Sequence, residues 1–383
     1  MKVLLVGGTW DNEGGKPSKL IGNHIYFALN NTLRAEVSHV KMLNGGTHYN
    51  LFDKVNALKK NNTLHPFDVI LWFPNVPNEI GKHINVKDIF PKAILVTFKN
   101  NYNHLRSAHN RPYSFQELVA HALSLKSNLF VEIVQRHHAF YGQVFDPLGN
   151  AWGPQTSNFT DIISVIIRRS RYLSKITRKP TVWSPEVPTV IPHTDETYAF
   201  FEIVKKSADK FHQLLNPANS INRFLGNASF RCTFGFPSLR TRSNIIFVSK
   251  RNVDKRALNH EQFVQVGYNS LKEITWYRGD HKPSVDTVIQ IQLYRLLHKI
   301  RFMIHSHVYV ENAPYTKNMV PCGGLEEIKE IERALCTANI NPQFGFAINL
   351  IGHGSLICGQ IPEDFNQYKY TARPAPELQY YNK

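Results

Sequence analysis

Along the first half of the chain, short apolar runs alternate with stretches whose apolar residues recur at helical spacing. The runs are KVLLVGG from Lys2, AEVSHVKML from Ala35, DVILWFPNV from Asp68, AILVTF from Ala93 and NLFVEIV from Asn128. Between them, PSKLIGNHIYFALNN from Pro17 and SFQELVAHALSL from Ser114 read as helices. Near-continuous Val, Ile and Leu runs separated by helices predict parallel strands covered on both faces, a Rossmann-like or flavodoxin-like α/β layer. From Lys179 to Asp195 the prolines at 180, 185, 188 and 192 remove backbone donors and favour extended chain, which marks a boundary. Beyond it come a helix, DETYAFFEIVKKSADKFHQLLN, then short strands, loops and at least two more helices. The expected layout is therefore a domain over 1–175, a Pro-rich linker over 176–196 and a second domain over 197–383.

Within the second domain, FMIHSHVYV breaks the apolar pattern with two histidines. Residues i and i+2 of a strand face the same side about 6.5–7 Å apart. Met303, His305, His307 and Tyr309 thus share one face, and Phe302, Ile304, Ser306 and Val308 the other. Two imidazoles at that spacing can converge on one divalent ion, or simply pack as ordinary histidines. In INLIGHGSLICG, His353 sits between Gly352 and Gly354 at the tip of a predicted strand-turn-strand, where flanking glycines permit a tight bend that aims one imidazole outward. That makes a third ligand available. A catalytic zinc site takes three protein ligands and leaves a position open, so a nearby acid would complete it. In HKPSVDTVIQIQLYRLLHKI the helical spacing of Val285, Ile289, Leu293, Leu296 and Ile300 predicts a helix that begins near Pro283-Ser284 and carries Asp286 in its first turn. Either Asp286 serves the site or it is a plain helix-start acid.

Length and charge narrow the partners. A chain of 383 residues, 42% apolar, suffices for two cores. No apolar stretch is long enough to span a bilayer, and Met1 leads straight into the first strand run, so a cytoplasmic protein without a membrane partner is expected. Cys232, Cys322, Cys336 and Cys358 are scattered, which suits reduced thiols; Cys322 is read as a packed small thiol, with a soft metal ligand as the alternative. Lys plus Arg number 45 against 29 Asp plus Glu, a surplus of 16 that favours phosphorylated metabolites, nucleotides or nucleic acid. The acid-free run RRSRYLSKITRK, from Arg168, is read as a solvated helix end, a phosphate or nucleic-acid contact being the sharper alternative. Nucleic acid is not favoured, because no basic reader motif or stacking platform accompanies the charge.

Five motifs in order, LGNASFR (225–231), VSKRNVDKRAL (248–258), KPSVD (282–286), HSH (305–307) and GHG (352–354), resemble the class II aldolase/adducin family over roughly 197–383. That family contains zinc-dependent fuculose-phosphate-type aldolases, pentulose-phosphate epimerases and a sugar-phosphate dehydratase. The resemblance implies an α/β/α domain, His305, His307 and His353 as ligands of Zn²⁺ or another divalent metal, and Asp286 in the place of the family's catalytic glutamate. It also implies Asn227, Ser249 and Ser284 around a substrate phosphate, where Arg251 adds positive charge of its own, a phenol as proton donor with Tyr309, Tyr315 and the C-terminal tyrosines as candidates, and a ring-like homo-oligomer, a tetramer, with sites at subunit interfaces. Asp286 is one methylene shorter than the family's Glu, and Ser249-Lys250-Arg251-Asn252 replaces the common Thr-x-Ser-Gly, with Asn252 able to adopt the left-handed conformation of Gly. A metal chelated by a hydroxyketone stabilises an enediolate while a carboxylate moves the proton, so the expected activity is that of a lyase or epimerase on a phosphorylated or nucleotide-linked sugar. A non-catalytic adducin-like protein is the alternative, although adducin-like heads lack the ligand histidines that this chain retains.

In the first domain, LLVGGTWDNEGGKPSKL places Gly8, Gly15, Lys16 and Ser18 between a strand and a helix, a natural anion seat that fits neither GxGxxG nor a Walker loop. A nucleotide, a nucleotide sugar or a sugar phosphate is the expected ligand there, and a purely structural turn the alternative. That pattern resembles the opening loop of the donor fold of glycosyltransferases. His137 and His138 are expected in an exposed loop. The fusion of the two domains resembles proteins encoded by tailed bacteriophages.

Overall fold

The computed structural model describes residues 1–7, 20–44, 66–73, 90–101, 111–188, 190–215, 224–236, 241–374 and 376–379. The chain forms two compact units, Met1–Lys175 with Ala375–Lys383, and Ile176–Pro374.

In the first unit the expected parallel layer is present. Strands β1 (Lys2–Gly7), β2 (His39–Asn44), β3 (Val69–Trp72), β4 (Ile94–Asn100) and β5 (Leu129–Arg136) pair in parallel in the order β2-β1-β3-β4-β5. That is the flavodoxin-like doubly wound order. Val69–Trp72 is buried along its whole length, as a strand covered on both faces must be. The Phe115–Ser124 helix starts on a capping box in which the Ser114 hydroxyl accepts from Glu117 N–H and the Glu117 carboxylate accepts from Ser114 N–H. Beyond β5 the sheet turns antiparallel through β6 (Ala139–Phe145) and β7 (Asn150–Ala151). His137 and His138 are the exposed β5–β6 turn, both at positive φ (47° and 65°).

The second unit is built on a mostly antiparallel sheet. Its strands are β8 (Thr181–Trp183), β9 (Asn227–Phe236), β10 (Thr241–Ser249), β11 (Phe263–Asn269), β12 (Ile274–Arg278), β13 (Phe302–Ser306), β15 (Phe346–Leu350) and β16 (Gly354–Gly359), in the order β15-β16-β13-β9-β10-β11-β12-β8. A separate ribbon pairs β14 (Tyr309–Val310) with β17 (Tyr370–Thr371). Alternation along β13 and β16 divides the core in two. Met303, Leu356 and Cys358 join Val288, Ile291 and Leu293 of the Thr287–Leu296 helix and Ile331 and Leu335 of the Glu326–Thr337 helix. Phe302, Ile304 and Ile357 join Phe200, Phe201, Val204 and Phe211 of the Asp195–Leu214 helix. Helices therefore cover both faces, giving the α/β/α layering, and each fully buried large side chain contributes roughly 1.5–3 kcal/mol.

Two boundaries differ from the sequence expectation. The Pro-rich stretch 176–196 is not a free linker: β8 within it adds a parallel edge strand to β12, a place where neighbouring prolines cost no ladder bond. The last residues do not belong with the second unit, because β18 (Glu377–Leu378) pairs in parallel with β7. Among the described residues no helix is long and apolar enough to cross a membrane.

Candidate metal centre

His305 lies near the end of β13, held on both sides by backbone pairing to Leu356 of β16 and Asn227 of β9. Ladder pairing stops at Ser306, so His307 follows just beyond the strand. His353 comes from the β15–β16 turn, where Gly352 and Gly354 have φ of 70° and 146°. A Cβ on Gly354 would lie 1.9 Å from the Ser306 carbonyl oxygen and 2.7 Å from His307 Cα. Only glycine lets this turn press against the end of β13. Gly226 plays the same part on the other side, where a Cβ would meet the His305 carbonyl oxygen at 2.4 Å.

The three imidazoles come together. Their ring centroids are 5.1 Å apart for His305 and His307, 4.7 Å for His305 and His353, and 5.3 Å for His307 and His353. One nitrogen of each lies within 4.8 Å of the others. All three are buried, at 4%, 7% and 0% exposure. His305 Nδ1 donates to the Ser355 carbonyl at 2.9 Å, and His353 Nδ1 donates to Glu327 Oε1 at 2.8 Å. Such outer bonds fix ring orientation and leave Nε2 as the free ligand atom. His305 Nε2 is buried without a hydrogen-bond partner. An orphaned lone pair facing two other imidazoles is what a cation would satisfy, so the residues fit a divalent metal.

Electrostatics agrees. Burial, reinforced by neighbouring His353, pushes the His305 imidazole down to about 4. Burial, with His305 and His353, holds His307 well below its ordinary value. Both are neutral at physiological pH, the form that can ligate a metal. For His353 burial opposes the charged form, but Cys322 and Glu327 outweigh it and hold the ring well above its ordinary value.

Asp286 stands at the start of the Thr287–Leu296 helix, as the spacing predicts, but its side chain does not cap that helix. Instead Oδ1 accepts from Gly323 N–H at 2.8 Å, and Oδ2 lies 3.7 Å from His305 Nε2. The acid is 6% exposed and faces the imidazoles. Asn227 Nδ2 donates to Ser284 Oγ at 3.0 Å, and Gln290 Nε2 donates to Asn227 Oδ1. Ser249 Oγ accepts from Ala228 N–H at 3.2 Å. These three predicted phosphate contacts share one neighbourhood beside His305. Arg251 does not share it through its side chain, which is exposed on the turn after β10, while its N–H donates to the Lys282 carbonyl at 2.9 Å. Asn252 on that turn takes the left-handed conformation, φ 62°. The Tyr309 phenol accepts from Gly352 N–H at 2.9 Å, so it braces the His353 turn.

Two participants were not singled out in the sequence, Glu327 and Lys255. Glu327, behind His353, falls in register with Ile331, Ala334 and Leu335 on the buried side of its helix; an acid inside an apolar stripe was the available signal. Lys255 is 7% exposed, its ammonium donating to the Phe224 carbonyl at 2.7 Å, and burial lowers its pKa to about 7. Nothing in the basic run VSKRNVDKR distinguishes it from its exposed neighbours. Cys322, read as a packed thiol, lies with Sγ 3.2 Å from His353 Nε2.

Elsewhere, Gly8, Gly15, Lys16 and Ser18 lie outside the described residues. The basic run after Arg168 is not simply solvated. Arg169 is 2% exposed with its guanidinium 3.6 Å from the Trp152 ring centre, Arg171 pairs with Glu36 at 2.8 Å and Lys179 with Glu273 at 2.7 Å.

Residues 211–313 match the family model of the class II aldolase and adducin N-terminal domain. That span holds Asn227, Ser249, Ser284, Asp286, His305 and His307, and ends before Cys322, Glu327 and His353. Among solved structures, the N-terminal class II aldolase domain of a conserved protein from Thermoplasma acidophilum is similar at 12% identity and a TM-score of 0.28, covering 48% of this chain and 92% of that one. No curated protein matches.

Proposed function

We propose that the chain is a metal-dependent lyase or epimerase acting on a phosphorylated or nucleotide-linked sugar, a reading supported by the match of residues 211–313 to the class II aldolase and adducin N-terminal domain. The observation that carries the reading is the buried, partnerless Nε2 of His305 facing His307 and His353, with Asp286 Oδ2 alongside.

His305, His307 and His353 would hold the ion. A divalent cation there supplies Lewis-acid polarisation of a substrate carbonyl and its neighbouring hydroxyl. Asp286 is fixed through Oδ1 by the Gly323 N–H, which leaves Oδ2 free to take a proton from substrate carbon or oxygen and return it. Asn227, Ser249 and Ser284 offer a neutral hydrogen-bonding seat for the phosphate, and the Lys255 ammonium brings positive charge close by. The imidazole cluster and acid lie buried together, which strengthens every electrostatic contact made there. The flavodoxin-like unit, in this reading, binds an anionic ligand or partner, and the chain works as a homo-oligomer in the cytoplasm.

Metal content is the direct test. Protein purified without chelator and analysed for elements is expected to hold about one divalent ion per chain, and His305→Ala to lose it while keeping its circular dichroism spectrum. A full metal load in that variant removes His305 as a ligand. A folded wild-type protein that neither contains metal nor takes it up favours the adducin-type, non-catalytic reading. For the substrate, a thermal-shift panel of sugar phosphates and nucleotide sugars identifies binders, because a ligand stabilises the state it binds.

A further inference from the structure

Cys322 occupies a built position. Its loop is pinned from both sides: Gly323 N–H donates to Asp286 Oδ1, Gly324 N–H closes a turn onto the Pro321 carbonyl at 3.0 Å, and Leu325 N–H donates to the Thr177 carbonyl at 3.1 Å. Gly323 has φ 75°, and a Cβ there would sit 3.1 Å from the Val285 carbonyl oxygen, so the loop is packed tightly against the residue preceding Asp286. The result brings Cys322 Sγ, Asp286 and His353 within 4.8 Å of one another.

His353 belongs to this trio and to the three imidazoles alike. Its Nδ1 is hydrogen-bonded to Glu327, so Nε2 is the atom it offers to both sets, and the two sets meet at that nitrogen. Two ligands on one tetrahedral zinc, one nitrogen and one sulfur, lie about 3.6 Å apart. The observed 3.2 Å between Sγ and Nε2 is within a few tenths of that. Independently, the orphaned Nε2 of His305 shows that the centre lacks a partner for its inward-facing nitrogen.

We propose that Cys322 is a metal ligand of this centre, its thiolate the fourth protein donor beside His305, His307 and His353, with Asp286 left as the acid that handles protons. The inference rests on the metal-dependent reading above and deepens it. When the ion binds, the Cys322 S–H bond breaks, its proton passes to solvent and the sulfur electron pair goes to the metal; no electron transfer is involved. Four protein donors close a tetrahedral site, so a chelating substrate must displace the thiolate to enter. The centre is then sensitive to thiol-modifying reagents, with metal release as the consequence.

Cobalt(II) reports thiolate ligation directly. The full-length protein, stripped with chelator and titrated with Co²⁺, is expected to develop both visible ligand-field bands and a near-ultraviolet thiolate-to-cobalt charge-transfer band at one equivalent. Cys322→Ser is expected to keep the visible bands, lose the charge-transfer band and bind cobalt at least about tenfold more weakly. Cys336→Ser, at an exposed cysteine, serves as the control and leaves the spectrum unchanged. Visible bands without charge transfer in the wild type overturn the role of Cys322 and leave the three-histidine site standing. A charge-transfer band that survives in Cys322→Ser assigns the sulfur to another residue and equally overturns it. A folded wild type that takes up no cobalt overturns the metal-dependent reading, and this inference with it.

Discussion

Lys255 shows how burial gives one residue of a basic run a different chemistry from its neighbours. Its ammonium donates to the Phe224 carbonyl, and burial lowers its pKa to about 7. A lysine whose folded pKa is depressed binds fewer protons folded than unfolded between that value and the ordinary one near 10.4. Stability therefore rises with pH across about 7 to 10, by up to ~1.4 kcal/mol per unit, and carries the full cost of the buried charge below about 7. Denaturant unfolding at successive pH values is expected to show a shallower slope in Lys255→Met than in the wild type; parallel curves would refute the buried ammonium. Residues of this kind are poorly legible in sequence, because Lys255 and exposed Arg256 look alike until packing separates them. His305, His307 and His353 were legible, since each stands against its local pattern, an imidazole in an apolar strand or between two glycines; Asp286 was legible as an acid at a helix start shortly before the HSH strand, with a plain helix-start role left open. Cys322 was left between a packed thiol and a metal ligand, because a single thiol in a loop carries no spacing signal.

At the scale of elements, the apolar pattern located β1 to β5, the Asp195–Leu214 and Thr287–Leu296 helices and the β15–β16 turn correctly, since each is driven by local periodicity. The β6 and β7 extension escaped it. Its hairpin turns on His137 and His138 at positive φ, where Asn-Gly would have announced a turn. The Gly352-His353-Gly354 turn depends on glycine for space as well as for φ. Gly354→Ala is expected to destabilise the second unit by about 3 kcal/mol or more, because the new Cβ collides with the Ser306 carbonyl and forces apart two elements that carry the clustered histidines. Thermal unfolding and metal content are expected to fall together in this variant. A variant with wild-type melting temperature would show that the turn does not press on β13.

For the whole molecule, two compact units with separate cores need not unfold as one two-state system. Calorimetry is expected to resolve two transitions, and a chelator to lower only the one belonging to the unit that holds the three histidines. A divalent ion bound by the proposed centre, at a hundredfold excess over its dissociation constant, would stabilise that unit by about 2.7 kcal/mol. A chelator that shifts both transitions equally, or neither, contradicts a metal centre confined to one unit. Sequence alone determined the α/β class, the parallel layer, the division into two parts and three of the imidazoles, because strand, helix and turn preferences are set by neighbours a few residues apart. It did not determine that β8 and β18 join sheet edges, that Glu327 stands behind His353, or that Cys322 reaches His353. Those depend on contacts between residues far apart in the chain: the loop of Cys322 is tied to Asp286 by the hydrogen bond from Gly323 N–H to the Asp286 carboxylate, across 37 positions, which no local pattern encodes.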